Sequence, residues 1–518
     1  MTMPSPTDTS LLRALETYRS AIPGHRAHEF RLDSLDRLDI PLWAVFVWAE
    51  DGDFSDGYGY SSNALAAQVS AWGEIMENYF ATETLRALPR RRASYGELLV
   101  EGSEVCDPLT LCLDAAANYT AETSLVWTRA TRWPSGEKVW VPLEAAAISP
   151  GDILSEIPAA RRLFMPITNG LGAGMTLPQA ITHGILEQVQ RDGDSVTFRA
   201  LDQGVRIDLR SVQDQGTREL LAYLDARGVE VMAKLAGVAL GMAVIYVVGH
   251  ERDLHDVRFN LSISACGEAA DPDPERALRK ALDEFVSSRA RKRFMHGSLA
   301  DMRSVAPERY CERVESDPLH GDEPRALQSL VSWTRMTRQE LFGILQDPVF
   351  ACRSVIPFSE LPGTSAPSLT EEGRLELLGT RLAREGSEVL YVDFTPPGAS
   401  FHVVKTCCPR LEVETMSYGR IGRRNLERLC RRAAEDPAFA GLVGISDGDR
   451  PAGSLPIHLT ASDEAALGGK GWLDPAAIER VVGKLYALYR EPNGHTVGKL
   501  AARHLETAAL PPDRSERL

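Results

Sequence analysis

The chain has 518 residues, of which 44% are hydrophobic and 25% charged, with a net charge of −15. That composition excludes a fibrous or low-complexity chain, and the length calls for a composite domain or two to three lobes. The acidic balance argues against general nucleic-acid binding and against attachment to an anionic membrane.

Residues 1–30 read as an N-terminal extension carrying one helix, Ser10 to Ala21. Met1 to Ser10 has no basic stretch followed by an apolar run, so it is not a secretory signal. Pro41 to Trp48 alternates and is predicted as a strand, Asp51 to Tyr60 as an acidic, glycine-rich loop, and Asn63 to Tyr79 as a helix. Lys138 to Pro142 is a strand, Gly170 to Gly174 a glycine-rich loop, and Thr176 to Arg191 a helix capped by Thr176 with Pro178 in its first turn. Val196 to Leu201 is predicted as a strand. The apolar run Leu235 to Val248 is too short for a bilayer and reads as a helix followed by a buried strand from Gly241.

Asp273 to Arg293 is a strong helix opened by Asp271-Pro272-Asp273. Residues 294–370 carry more turns and are predicted as an insertion or lid. Glu388 to Phe394 and Phe401 to Lys405 are strands; residues 425–438 and 475–490 are helices; the polar tail starts near Pro511. No segment recurs at a fixed period. The alternation of strands and helices predicts a mixed α/β (α+β) protein. The eight cysteines contain no C-x-x-C pair, so structural zinc has no support, and their scarcity suits thiols in the cytoplasm. The basic runs Arg289 to Arg293 and Arg423-Arg424 could hold phosphate or an acidic peptide, though such runs are more often solvated helix faces.

Three helical stripes carry candidate chemistry. Ser70, Glu74 and Glu77 fall on one face, and two carboxylates with a hydroxyl suit a hard cation such as Mg²⁺; a solvated acidic face would look the same. Gln179, His183, Glu187, Gln190 and Arg191 line a second face, preceded by Asn169 to Gly174, whose backbone N–H groups could meet an anion although no P-loop pattern is present. Glu284, Ser288 and Arg289 form a third stripe, with arginine the usual partner of phosphate.

In this order the motifs resemble one family. Gly57-Tyr58-Gly59, Ser70 to Glu77, Thr168 to Asp192, Ala270 to Arg289, Val392 to Thr395 and Cys408 to Glu412 together are similar to the YcaO proteins across roughly residues 57 to 415. The resemblance implies a YcaO domain over 31–420, completed by a C-terminal segment, 421–518. It implies ATP and Mg²⁺ held by a glutamate-rich helical site. There ATP would activate a backbone amide of a ribosomally made peptide, giving an azoline, a thioamide or an amidine. By resemblance Ser70, Glu74, Glu77, Gln179, Glu187, Gln190, Arg191, Glu284 and Arg289 bind ATP, and Glu74, Glu77 and Glu187 hold the metal. The implied partners are the peptide, a leader-binding, TfuA-like or second YcaO protein, and a second copy of the chain as a homodimer. Four positions depart from the family pattern. Tyr58 stands for a lysine, Asn78 for an arginine, and Gln179 and Gln190 for glutamates. A terminal P-x-P-x-P tail is also lacking, which tilts the expectation towards thioamide formation or an accessory role. Other readings are a catalytically degenerate partner of an active homologue and an auxiliary factor for a protein- or ribosome-modifying enzyme.

Overall fold

The computed structural model describes residues 6–22, 26–48, 54–195, 201–317, 319, 323–363, 369–413 and 419–509. The chain order begins α1 (Pro6–Ala21), β1 (Ala27–Arg31), β2 (Leu42–Trp48), β3 (Phe54–Tyr60), α2 (Ala64–Leu85), β4 (Arg91–Ser94), α3 (Tyr95–Val100), β5 (Ser124–Trp133), β6 (Lys138–Pro142) and α4 (Leu143–Ala146). It continues with β7 (Leu171–Gly174), α5 (Leu177–Asp194), β8 (Val205–Asp208), α6 (Gln215–Ala226), β9 (Val229–Ala239), β10 (Met242–Glu251), β11 (Ala265–Ala270) and α7 (Pro274–His296). Four helices follow, α8 (Leu299–Val305), α9 (Glu308–Ser316), α10 (Pro324–Arg335) and α11 (Arg338–Gln346), then β12 (Ser354–Pro357), α12 (Glu371–Arg384), β13 (Val389–Asp393) and β14 (His402–Cys407). The C-terminal part holds α13 (Arg423–Glu435), β15 (Val443–Ser446), β16 (Leu455–Pro456), α14 (Ala461–Leu467), β17 (Lys470–Leu473), α15 (Pro475–Val482), α16 (Tyr486–Tyr489) and α17 (Thr496–Ala509).

The predicted mixed α/β class holds. Strands β1-β2-β3 form an antiparallel sheet, β11-β10-β9-β8-β12 a mixed sheet, β4-β5-β13-β14-β7 with β6 on β5 a third, and β15-β17-β16 a small fourth. In the first three sheets one edge strand (β3, β11 or β7) leads directly into a long helix, and these three edges build the candidate site. The N-terminal helix α1 packs on α2. The segment expected as an insertion or lid carries the end of α7, contributes β12 beside β8, and sends Trp333, Leu341 and Leu345 into the core.

Several local expectations are corrected. Phe54–Tyr60 is a strand paired along β2, not a loop, and Leu171–Gly174 is a strand paired with β14. Their glycines sit where a helix backs closely onto the strand. Leu235 to Ala239 is strand, not helix: it belongs to β9, which returns as β10 through Leu240 and Gly241, both at positive φ, the geometry of a two-residue hairpin turn. Residues of β10 are buried on both faces, so its apolar run is continuous instead of alternating. The helix expected over 475–490 is broken by a 3₁₀ turn at Gly483–Leu485. The strand predicted at Val196 to Leu201 and the tail from Pro511 fall, but for Leu201, outside the described residues.

Candidate functional site: a ring of three strand–helix units

The absence of a fixed period conceals a repeat at unequal spacing. Aligning Gly57, Gly170 and Gly267 brings a small residue two places on into register (Gly59, Gly172, Ala269). The helix N-caps follow (Asn63, Thr176, Asp273), then alanines (Ala67, Ala180, Ala277), then small residues (Ala71, Gly184, Ala281), and finally one acid: Glu74, Glu187, Glu284. Close backbone packing explains the small residues. A Cβ on Gly59 would lie 1.8 Å from the Ala67 carbonyl oxygen, one on Gly172 2.1 Å from that of Ala180, and one on Gly267 2.1 Å from that of Ala281. The close approach lets each helical acid reach the strand backbone. Tyr58 N–H donates to Glu74 Oε2 at 2.7 Å, Gly170 N–H to Glu187 Oε2 at 3.1 Å, and Glu268 N–H to Glu284 Oε2 at 3.0 Å.

The units close on one another. Helix α2 packs on β7, α5 on β11, and α7 on β3. A polar contact crosses each junction. Ala173 N–H donates to Glu77 Oε1 at 2.9 Å; Arg191 Nη1 lies 3.1 Å from Glu268 Oε2; and the Arg291 guanidinium stands 5.6 Å from the centre of the Tyr58 ring.

Glu74, Glu77 and Glu187 lie in one another's field. Burial, with Asp56 and Glu187 adding to it and the Tyr58 N–H bond and Arg291 opposing it, leaves the Glu74 carboxyl pushed up to about 7; burial together with Glu187 and Glu74 pushes Glu77 to about 8. Glu187 is raised by burial against the opposing charge of Arg191, whose Nη2 is 3.8 Å from Glu187 Oε1. His183 Nε2 is 3.8 Å from Glu77 Oε1, but its pKa is lowered by the surrounding protein and by Lys280. Both shifts act against an ion pair at this contact.

Of the predicted residues, Glu74, Glu77, Glu187, Arg191 and Glu284 come together in this ring. Ser70 is exposed on α2, at the repeat position that His183 and Lys280 hold in the other units. Gln179 is exposed, and its Oε1 accepts from Met175 N–H at 2.8 Å, so it caps its own loop. Gln190 is buried at the position of Glu77. Arg289 lies outside the ring: it is buried, its Nε 2.7 Å from Asp36 Oδ2 and its Nη2 2.6 Å from Glu251 Oε1, and Glu251 is shared with Arg37. Five residues after Glu284, it points about 140° off that face at 100° per residue. Arg291, seven residues on, returns to the face; burial lowers its pKa, but Glu491, Glu74, Tyr58 and Glu284 more than offset this and hold it charged.

In the sequence Arg291 stands only within a basic run that could hold phosphate, and nothing singles out Lys280. Lys280 lies in the field of Glu77, His183 and Glu187. The departures at 58 and 78 also acquire a place. Tyr58 turns its ring into the aromatic cluster against Phe46, and Asn78 Nδ2 donates to the Asp56 carbonyl at 2.9 Å.

Among the described residues no group of three or more His, Cys, Asp or Glu is gathered closely enough to cage an ion. Each acid instead holds a backbone N–H. Mg²⁺ characteristically takes one or two carboxylates and completes its octahedron with phosphate oxygens and water. The ring therefore fits a cation that arrives with a polyphosphate, and does not fit one held by protein alone.

A family model described as "YcaO cyclodehydratase, ATP-ad Mg2+-binding" matches residues 58–412. The chain belongs to the YcaO family. It is 28% identical over 401 residues to an uncharacterized protein of Methanothermobacter thermautotrophicus, covering 75% of this chain and 90% of that one. It is 26% identical over 265 residues to an uncharacterized protein in the tfuA 3′ region of Rhizobium leguminosarum bv. trifolii, covering 50% and 60%. Among solved structures it is similar to a heterocyclase in complex with substrate and cofactor (TM-score 0.58, 16% identity, 80% of this chain), of which it spans 54%. It is also similar to YcaO from Methanopyrus kandleri bound with AMPPCP and Mg²⁺ (TM-score 0.53, 18% identity, 81% of this chain and 94% of that one). These likenesses place the fold as that of YcaO proteins, a family whose description is ATP and Mg²⁺ binding. No helix among the described residues is long and apolar enough to cross a membrane.

Proposed function

We propose that the ring binds ATP with Mg²⁺ and that this protein uses it to activate a backbone amide of a peptide. The observation that carries the reading is the cyclic set of three strand–helix clamps, which brings Glu74, Glu77, Glu187 and Glu284 together with Arg191, Lys280 and Arg291. ATP supplies the phosphoryl group that turns a poor leaving group, the amide oxygen, into a good one. Glu74, Glu77 and Glu187 hold the phosphate-borne Mg²⁺, with Ser70, Gln190 and Glu284 around them and Gln179 shaping the loop beside them. Arg191, Lys280 and Arg291 neutralise phosphate oxygens, so the chain acts by positioning and charge compensation. The nucleophile decides between azoline, thioamide and amidine. The similarity to a protein encoded beside tfuA supports a partner protein in that step.

Calorimetric titration tests this. Mg²⁺ alone gives no binding, ATP with Mg²⁺ binds, and Glu187→Gln abolishes both binding and phosphate release; a wild-type protein that binds no nucleotide at millimolar concentration refutes it. The second reading, a degenerate partner of an active homologue, draws on the amides Gln179 and Gln190 at acid positions. It gives nucleotide binding without phosphate release in the presence of peptide.

A further inference from the structure

Behind the loop that carries the Gly170 clamp lies a cavity of about 60 Å³, walled by Leu111, Phe164 and Leu411 and lined by Glu144, Asn169, Lys405 and Arg420. A water occupies roughly 10–15 Å³ of such space, so the cavity admits a group of several atoms. Its charged groups are mostly committed. Lys405 Nζ donates to the carbonyls of Ala147 and Ile167 at 2.5 and 2.6 Å. Arg420 donates to the Cys112 and Leu111 carbonyls at 2.7 and 3.0 Å and lies 3.9 Å from the centre of the Phe164 ring. Glu412, also on the wall, accepts from Gly422 N–H at 2.8 Å and Asn425 N–H at 2.9 Å.

Two atoms are left over. Glu144 is 1% exposed; its Oε1 accepts from Leu163 N–H at 3.3 Å, while its Oε2 is buried and has no partner among the described residues. Asn169 Nδ2 is likewise buried and unpaired. Buried polar atoms without partners are costly, and one acceptor with one donor at a shared cavity defines a complement. An anion would present acceptors to the Glu144 carboxyl. A cation would face the Asn169 amide hydrogens and Lys405. A neutral amide offers a carbonyl to Asn169 and an N–H to Glu144 at once.

We propose that this cavity is a binding site for a neutral amide, the unpaired Glu144 and Asn169 atoms supplying its acceptor and donor. Its natural bearer is a peptide bond or side-chain carboxamide of the peptide substrate, an attribution that rests on the function proposed above. Asn169 directly precedes the clamp glycine, and Gln188 on the cavity wall directly follows Glu187. The site would thus anchor one part of a peptide beside the ring that acts on another.

The test uses acetamide on the full chain without ATP or Mg²⁺, so its outcome is independent of the nucleotide reading. Saturation-transfer NMR shows acetamide bound in the millimolar range, with acetate and methylammonium at least about tenfold weaker. Glu144→Leu, checked for folding by its thermal transition, loses the acetamide signal about tenfold or more, whereas Glu144→Gln, which keeps an acceptor, stays within about threefold of wild type. A crystal soaked in acetamide gives a readout that needs no variant, an amide spanning Glu144 and Asn169. Absence of acetamide transfer at about 100 mM, undiminished binding to Glu144→Leu, or a soaked crystal with ordered water only overturns the proposal.

Discussion

Glu77→Gln separates the electrostatics of the acidic ring from its chemistry. The Glu77 side chain is 14% exposed, and burial with the fields of Glu187 and Glu74 pushes its carboxyl from the ordinary 4.5 up to about 8. Between these two values the unfolded chain has released the proton that the folded one retains. The folded state is therefore progressively disfavoured as pH rises through the window, by about 5 kcal/mol at most once pH exceeds 8. Glutamine mimics the protonated side chain and has no such dependence. In metal-free buffer with a chelator, Glu77→Gln and wild type should unfold at similar temperatures near pH 4.5. The variant should gain on wild type through neutral pH and level off above pH 8. The same substitution should weaken nucleotide-dependent Mg²⁺ binding, since its carboxylate is the proposed ligand. Scanning calorimetry across that range decides it: parallel curves for the two proteins would show that Glu77 titrates normally and that the ring is not a desolvated acid cluster.

Four further outcomes follow from packing and charge. Gly59→Ala should cost about 3 kcal/mol or more in denaturant unfolding, because the new methyl meets helix backbone that cannot step aside. Gly73→Ala, on the same helix with nothing within 4 Å of the added atom, should instead stabilise by about 0.5–1 kcal/mol. Arg289→Met should destabilise by about 3 kcal/mol by stranding Asp36 and leaving Glu251 to Arg37 alone, while leaving the affinity for ATP near wild type in the protein that remains folded. Arg291→Met should weaken ATP binding by about tenfold or more with no change in the Mg²⁺ concentration required, which titrations at several Mg²⁺ levels would distinguish from the effect at Glu77.

The acids were legible because helical spacing is short-range: Glu74 and Glu77, or Glu187 and Arg191, share a face whatever the rest of the chain does. The stripe on α7 failed by phase. Arg289 sits five residues beyond Glu284 and serves a buried ion pair with the N-terminal region, a contact 253 residues away in sequence that no local pattern announces. Strands β3 and β7 looked like loops because their glycines answer to a helix lying on them, and glycine in a strand is otherwise a signal against one. The repeat escaped notice since its copies keep only small residues, a cap and one acid, separated by unequal stretches of chain. His183 and Lys280 gained meaning only when the units were superposed in sequence and seen to occupy the place of Ser70.

The three units share a backbone device but not a charge. After the common acid, the first unit adds Glu77, the second Gln190 and Arg191, and the third Ser287, Ser288 and Arg291. Before it, the same progression runs from Ser70 through His183 to Lys280. Carboxylates are thus concentrated on α2 and cations on α7, with α5 carrying one of each. A uniform ring would attract a metal or a phosphate without orienting either. On the function proposed above, this gradient would give a metal-bearing polyphosphate a direction, its metal end towards the acids of α2. An amide at Gln190 keeps a further acid from Arg191, and the Arg291 guanidinium stands 5.6 Å from the centre of the Tyr58 ring, so the two ends of the gradient stay opposed in charge.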